Sequence, residues 1–222
     1  MTMNLSEIRD AVRTQLDLDE DDLPNTTLDL YVREAYNRTI QMERRWPFFE
    51  SSWSVTSNSS GQITMPSTAA GVASLVESNY NQRLLLIGQE MAEDNFQGNT
   101  QYGNPDFYSV WGDTIYLWPT PAETYTYTLR GWRKPLDWVS SGAATEVDAD
   151  ERLHIPIIHY AVSLAYAQLE DPELENAYMR RWAQTVERAH DDIMRPQHHE
   201  PLVLNGGTRR IATRRPRFVW DL

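Results

Sequence analysis

The sequence predicts an α+β protein: a four-helix bundle of two N-terminal and two C-terminal helices, an inserted antiparallel β domain, and an extended C-terminal tail. Three observations lead there. Apolar residues recur at helical spacing up to about residue 48 and again between about 150 and 195. Residues 51–134 alternate in twos between turn residues, and after Pro196 no period is sustained. The expected boundaries are therefore 1–48 with 150–195 for the helical bundle, 49–149 for the β-rich insertion, and 196–222 for the Arg-rich tail.

The first helix is expected over Leu5–Leu16, with Leu5, Ile8, Val12 and Leu16 on one face and Asn4 with Glu7 as a capping box. "DLDEDDLPN" then breaks the pattern at Pro24. Asp17, Asp19 and Asp21 fall where a calcium loop places its first, third and fifth ligands. The sixth position, however, is Asp22 rather than glycine and the twelfth is Leu28 rather than glutamate, so a solvated acidic turn is the reading. Thr26 opens a second helix with Asp29 as its capping partner and Leu28, Val32, Ala35, Thr39 and Met42 along one face. Pro47 disfavours helical geometry at Trp46, so this helix is expected to end there, with Arg44 and Arg45 in its last turn, where cations are favoured. Because the period changes directly afterwards, Trp46, Pro47, Phe48 and Phe49 are expected to form the seam between the bundle and the β insertion.

Strands follow. "WSVT" and "QITM" flank the turn "SNSSG", and "ASLVES" and "RLLLI" flank "NYNQ". "DFYSVWGDTIYLWP" is a hairpin with Gly112 and Asp113 as its two-residue turn. "TYTYTLRGWRK" is expected to add the third strand of an antiparallel meander, and "GQEMAEDNF" one or two helical turns. After Asp150, Pro156 suits a first helical turn and "IIHYAVSLAYAQL" is apolar almost all round, so this helix is expected to be buried between neighbours. The fourth helix opens at Asp171 and Pro172, carries Leu174, Tyr178, Trp182, Thr185, Val186, Ala189 and Ile193 on one stripe, and stops at Pro196.

Composition excludes several chemistries. The 222 residues contain no cysteine, which removes disulfides, zinc–thiolate sites and thiol catalysis. A chain that is 41% hydrophobic is not wholly disordered, and its apolar runs are too short and interrupted for a bilayer span, so no membrane partner is expected. The net charge of −12 is uneven: six arginines against Glu200 and Asp221 give residues 195–222 a charge of +4, which leaves −16 on residues 1–194. Lys134 is the only lysine among twenty basic residues, and arginine is the better interface cation.

No nucleophile elbow, P-loop, dinucleotide fingerprint or paired-histidine zinc helix occurs, so neither an enzyme nor a cofactor is expected. His154 and His159 are five apart with Pro156 between them, off the spacing that puts two ligands on one helix face. His198, His199 and Glu200 lie in a Gly/Pro-flanked stretch without a scaffold to fix metal geometry. The aromatics Tyr108, Trp111, Tyr116, Trp118, Tyr125, Tyr127 and Trp132 have no accompanying cation before Arg130, so core or subunit-interface packing is favoured over base stacking. The tail is the sharpest feature: Arg209, Arg210, Arg214, Arg215 and Arg217 crowd into nine residues ahead of "FVWDL". It reads either as an arm for nucleic-acid phosphates, as in a nucleic-acid-binding regulatory protein, or as a docking peptide with Phe218 and Trp220 as anchors. The apolar anchors favour a protein partner.

Three stretches, "YVREAYNRTIQMERRWPFFE", "DTIYLWPTPAETYTYTLRGWRKP" and "LEDPELENAYMRRWAQTVERA", occur in an order that resembles the bacteriophage head-to-tail adaptors. This connector and head-completion family includes podophage tail tubular protein A. The resemblance implies a non-enzymatic virion protein at the head–tail junction, made in the host cytoplasm. It also implies a homo-oligomeric ring, usually a dodecamer, below the portal protein. In such a ring the C-terminal tail would dock on the portal and the β part would meet a downstream tail or head-closure protein. DNA would pass through the channel without sequence-specific binding.

Overall fold

The structure is a computed structural model that describes residues 2–43, 45–79, 81–96 and 102–194. Its first helix, α1 (Leu5–Leu16), carries the capping box expected of it: Asn4 Oδ1 accepts the Glu7 N–H at 3.0 Å, and Glu7 Oε2 accepts the Asn4 N–H at 2.9 Å. Two further first-turn donors, the N–H groups of Leu5 and Ser6, are taken by the carbonyls of Thr145 and Ala143. A strand-like return segment thus closes the helix start, satisfying groups that a helix cannot satisfy by itself.

The second helix, α2 (Asn25–Ile40), starts one residue early after Pro24 and has no side-chain cap. Asp29, the expected capping partner, instead receives two hydrogen bonds of 2.7 Å from Arg9, tying α2 to α1. This helix also stops at Ile40, six residues short of the expected end. The reason is Trp46, whose indole Nε1 donates to the Ile40 carbonyl at 2.9 Å: the chain turns back so that the ring is buried beneath the helix terminus and satisfies it.

A 3₁₀ turn (Pro47–Phe49) leads into seven strands: β1 (Glu50–Thr56), β2 (Gln62–Thr64), β3 (Ala69–Glu77), β4 (Gln82–Leu86), β5 (Phe107–Trp111), β6 (Thr114–Trp118) and β7 (Thr126–Arg133). Helix α3 (Gln89–Phe96) lies between β4 and β5. The strands form one nearly closed, barrel-like sheet in the order β1-β7-β3-β4-β5-β6-β2. Every strand sends a residue into the same interior: Val55, Ile63, Leu75, Leu84, Tyr108, Ile115, Leu117, Tyr127 and Leu129 are buried together. Two helices complete the chain, α4 (His154–Gln168) and α5 (Pro172–Met194).

The expected architecture, a four-helix bundle with an inserted antiparallel β domain, is overturned. The described residues contain five α-helices, and the sheet is seven-stranded and mixed, since β4 and β5 run parallel through the α3 crossover. Nor do the helices make a self-contained bundle. The apolar α4 takes α1, α2 and α5 around it, but the same core is completed by Trp46 and Phe49 from the entry to the sheet and by Trp138, Val139 and Val147 from its exit. Helices need a second layer to cover their apolar stripe, and here connecting segments supply part of it.

The expected meander also fails at its third strand. The β5–β6 hairpin forms around Gly112, which has φ 58, but β7 pairs with β1 and β3 rather than with β6. Pro119 and Pro121 have no N–H to continue a ladder, and the free edge of β6 is taken by β2, with Ile63 opposite Ile115. At Gly131 the β7 and β3 backbones approach so closely that a Cβ would lie 1.9 Å from the Gly71 carbonyl oxygen.

Replacing Trp46 with alanine removes a fully buried ring and the donor that caps α2. The expected cost is about 3–5 kcal/mol, measured by chemical denaturation. Trp111→Ala, at a ring 68% exposed, should fall within about 0.5 kcal/mol of the parent; equal losses would show that Trp46 does not carry the junction.

Candidate functional site

The aromatic residues singled out in the sequence meet where helices and sheet join. Trp46 and Phe49 are buried and Phe48 is half-buried, while Pro47 opens the 3₁₀ turn. The Trp46 ring stacks on Phe48 with centroids 5.5 Å apart, Phe48 meets Phe49 edge-on at 4.6 Å, and His190 of α5 meets Trp46 edge-on at 5.6 Å. From the last residues of β7, Trp132 lies under the Arg45 guanidinium at 5.0 Å and the Arg133 guanidinium covers Phe49 at 4.8 Å. Both are cation–π distances.

Arg133 is also the centre of the polar part of this junction. Its two terminal nitrogens donate to the two carboxylate oxygens of Asp148, at 2.8 and 2.5 Å. Asp148 Oδ2 accepts the Leu136 N–H at 2.7 Å, and the Asp148 carbonyl accepts the Tyr36 hydroxyl at 3.0 Å. The hydrogen bond to Asp148 raises the Arg133 pKa, and burial, followed by the Asp148 charge, pushes the Tyr36 hydroxyl up from its usual range. Both groups therefore keep one protonation state at any pH where the fold persists, which suits a fixed joint rather than proton transfer. Sequence reasoning missed this pair, because its members stand 15 positions apart across a largely irregular connection and neither belongs to a motif.

The remaining candidates do not converge. Residues 195–222 lie outside the described residues, and with them Arg209, Arg210, Arg214, Arg215, Arg217, Phe218, Trp220, His198 and His199; Arg44 is outside as well. His154 starts α4 and is 2% exposed, whereas His159 sits against Thr185 and Tyr178 of α5. Among the described residues no group of three or more histidine, aspartate or glutamate side chains could hold a metal ion. Asp19 Oδ1 accepts the N–H groups of Asp21 and Asp22, which makes the acidic stretch a closed turn. The aromatic run divides: Tyr108 and Tyr127 are buried, Trp118 stacks on Phe96, and Trp111 is exposed, so no continuous base-stacking surface results.

Charge is nonetheless organised. Met3 and His154 line one depression, so α1 and α4 start side by side, and the α1–α2 and α4–α5 connections fall together at the opposite end. That end carries five carboxylates from Asp17 to Asp22 and four from Glu170 to Glu175. Arg13, in the last turn of α1, is occupied by the Leu23 carbonyl and Asn25.

Burial lowers the pKa of both His154 and His159. A histidine kept neutral by the fold contributes stability that is complete above its unfolded pKa, about 6.5, and is lost as pH falls below it, because only the unfolded chain takes the proton. Between pH 6.5 and 5 the protein should lose stability by up to about 1.4 kcal/mol per pH unit for each histidine. His154→Gln should flatten that slope in thermal melts taken across this window, and an unchanged slope would remove His154 from the account.

Comparison with curated proteins returns no match. The family described as SU10 adaptor protein matches residues 3–217, which takes in both helical segments, the whole sheet and most of the basic tail. A chain matched over residues 3–217 belongs to the SU10 adaptor protein family, a family of bacteriophage adaptors.

Proposed function

We propose that the protein is a non-enzymatic structural component of the virion that forms a ring below the portal, joins the head to the tail, and lines the channel through which DNA passes. Family membership over residues 3–217 carries this reading. Likeness to the head-to-tail adaptors supports a dodecameric ring. The charge distribution supports the channel role, because a body of −16 repels a passing duplex instead of holding it. In this reading Arg209, Arg210, Arg214, Arg215, Arg217, Phe218 and Trp220 dock the C-terminal tail on the portal, with the arginines at acidic rims and the aromatic residues in pockets.

The same reading treats the chain as three working parts: the helices of 1–48 and 150–195, the β-rich 49–149, and the tail 196–222. The β part meets the downstream tail or head-closure protein. Trp46, Pro47, Phe48 and Phe49 hold it at a fixed angle to the helices, so that strain on the ring passes through a packed joint rather than a hinge.

Deleting residues 205–222 should leave a folded protein that no longer joins portal-bearing heads, scored by co-sedimentation and by imaging of assembled particles. Normal assembly by that truncation would sink the docking role. The crowding of five arginines into nine residues also favours a second reading, an arm that binds duplex DNA. Binding of that kind would weaken by orders of magnitude between about 50 and 200 mM salt, and no binding at low salt eliminates it.

A further inference from the structure

The hairpin between β5 and β6 ends in an exposed ring. Trp111, the last residue of β5, is 68% exposed and belongs to neither apolar cluster of the fold. Strand alternation turns it outward, because Tyr108 of β5 and Ile115 of β6 face the interior. Asp113 follows across Gly112. Its carbonyl accepts the Met65 N–H at 2.9 Å, whereas its carboxylate makes no ion pair among the described residues. The tip thus offers a large apolar ring beside an unpaired negative charge, and neither serves the barrel itself.

Elsewhere on the sheet lies a complementary shape. A depression of about 440 Å³ opens on β1, β7 and β3, with Arg130 and Trp132 as its long side chains and Glu50 at its rim. Ser52 and Ser74 stand opposite Arg130 on the two neighbouring strands, and Ala73 lies in the bulge of β3, so small side chains leave the floor low. Arg130 is exposed and, like Asp113, makes no ion pair among the described residues. In the nearly closed strand order β5 and β6 each lie three places from β7, counted in opposite directions, so hairpin and depression occupy opposite sides of the sheet. They also share one end of it. Strand β5 runs parallel to β4, β4 antiparallel to β3, and β3 antiparallel to β7, so β5 and β7 point the same way and both features sit where those strands finish. A projection and a depression on opposite sides at one level suit a head-to-tail contact repeated around an axis, whereas a two-fold dimer uses a single self-complementary patch.

We propose that Trp111 and Asp113 of one protomer seat in the Arg130–Trp132 depression of a second copy of the chain, and so on around the ring. The indole packs against Trp132 and the Arg130 guanidinium, both of which favour an aromatic face. Its N–H meets acceptors in the Ser52 and Ser74 hydroxyls and the Glu50 carboxylate, and the Asp113 carboxylate pairs with Arg130. The ring anchors the contact and the charge pair sets its register. This inference names the protomer-to-protomer contact and rests on the ring proposed above.

The absence of cysteine lets the contact be mapped by cross-linking. Thr114→Cys, beside the tip, and Ser52→Cys, beside Arg130, are placed together in the full-length chain and treated with a short bismaleimide. Covalent multimers larger than a dimer should form a ladder on a denaturing gel, and either single-cysteine chain should stay monomeric on it. Trp111→Ala and Asp113→Arg, each added to the paired chain, should reduce the ladder at least about tenfold. Asp113→Arg combined with Arg130→Asp should restore it, because the pair is rebuilt with its charges exchanged. Dimers from Thr114→Cys alone would assign the tip to a two-fold contact; that result, a ladder indifferent to Trp111→Ala, or a charge exchange that restores nothing overturns the proposal. Native mass measurement on the same chains separates this contact from the ring itself. Rings that form without the ladder overturn the contact and leave the ring standing, whereas no assembly larger than a monomer, alone or on portal-bearing heads, removes both.

Discussion

The ion pair between Arg133 and Asp148 fixes how the parts of this protein sit against one another. Arg133 is the last residue of β7 and Asp148 lies six residues before α4, so the bidentate contact sets the geometry at which the chain leaves the sheet and enters the helices. Tyr36 ties α2 to the same residue through the Asp148 carbonyl, and the face of Phe49 packs under the guanidinium. Side-chain exposures of 27% for Arg133 and 10% for Asp148 place the pair between a screened surface bridge and a fully buried one. Both terminal nitrogens of Arg133 and both carboxylate oxygens of Asp148 are hydrogen-bonded, which is the condition under which a buried charge pair specifies structure rather than weakening it.

Around that pair the aromatic residues supply what the ions cannot. A bidentate contact defines direction but contributes little hydrophobic energy, whereas the Trp46, Phe48 and Phe49 rings remove a large apolar area from water where two differently shaped surfaces meet. The indole of Trp46 adds a structural duty: its N–H ends α2. One residue thus terminates a helix, fills a core and borders the first strand, which is why the helix stops where Trp46 needs it to and not where the apolar period runs out.

Local features were legible from the sequence and long-range pairings were not. The Asn4 capping box, the turn at Gly112 and the all-round apolar character of α4 are each decided within a few residues, and each is present. The strand order is decided elsewhere. Residues 126–133 alternate whether they lie beside β6 or between β1 and β3, so the alternation specifies faces and not neighbours. Their placement follows from edge occupancy by β2 and from the prolines at 119 and 121, and only the three-dimensional sheet brings those together. The four-helix expectation failed for a similar reason: Trp138, Val139 and Val147 sit in irregular chain, where periodicity has no power to show that they complete a helical core. At the candidate site the aromatic cluster could be read from its density in the chain, but its ionic partner could not.

The distribution of charge now acquires a direction. Carboxylates of the α1–α2 and α4–α5 connections gather at the end of the helices farthest from the sheet, while α5 delivers the chain at the opposite end, beside Trp46. The last residue of α5 is separated from these connections by the length of that helix, 23 residues or about 34 Å. That spacing is several times the Debye length of about 8 Å at physiological salt, so the acidic end exerts little field where α5 ends. The helix thus carries the chain from the acidic end of the helices to the joint with the sheet, out of the acidic end's field.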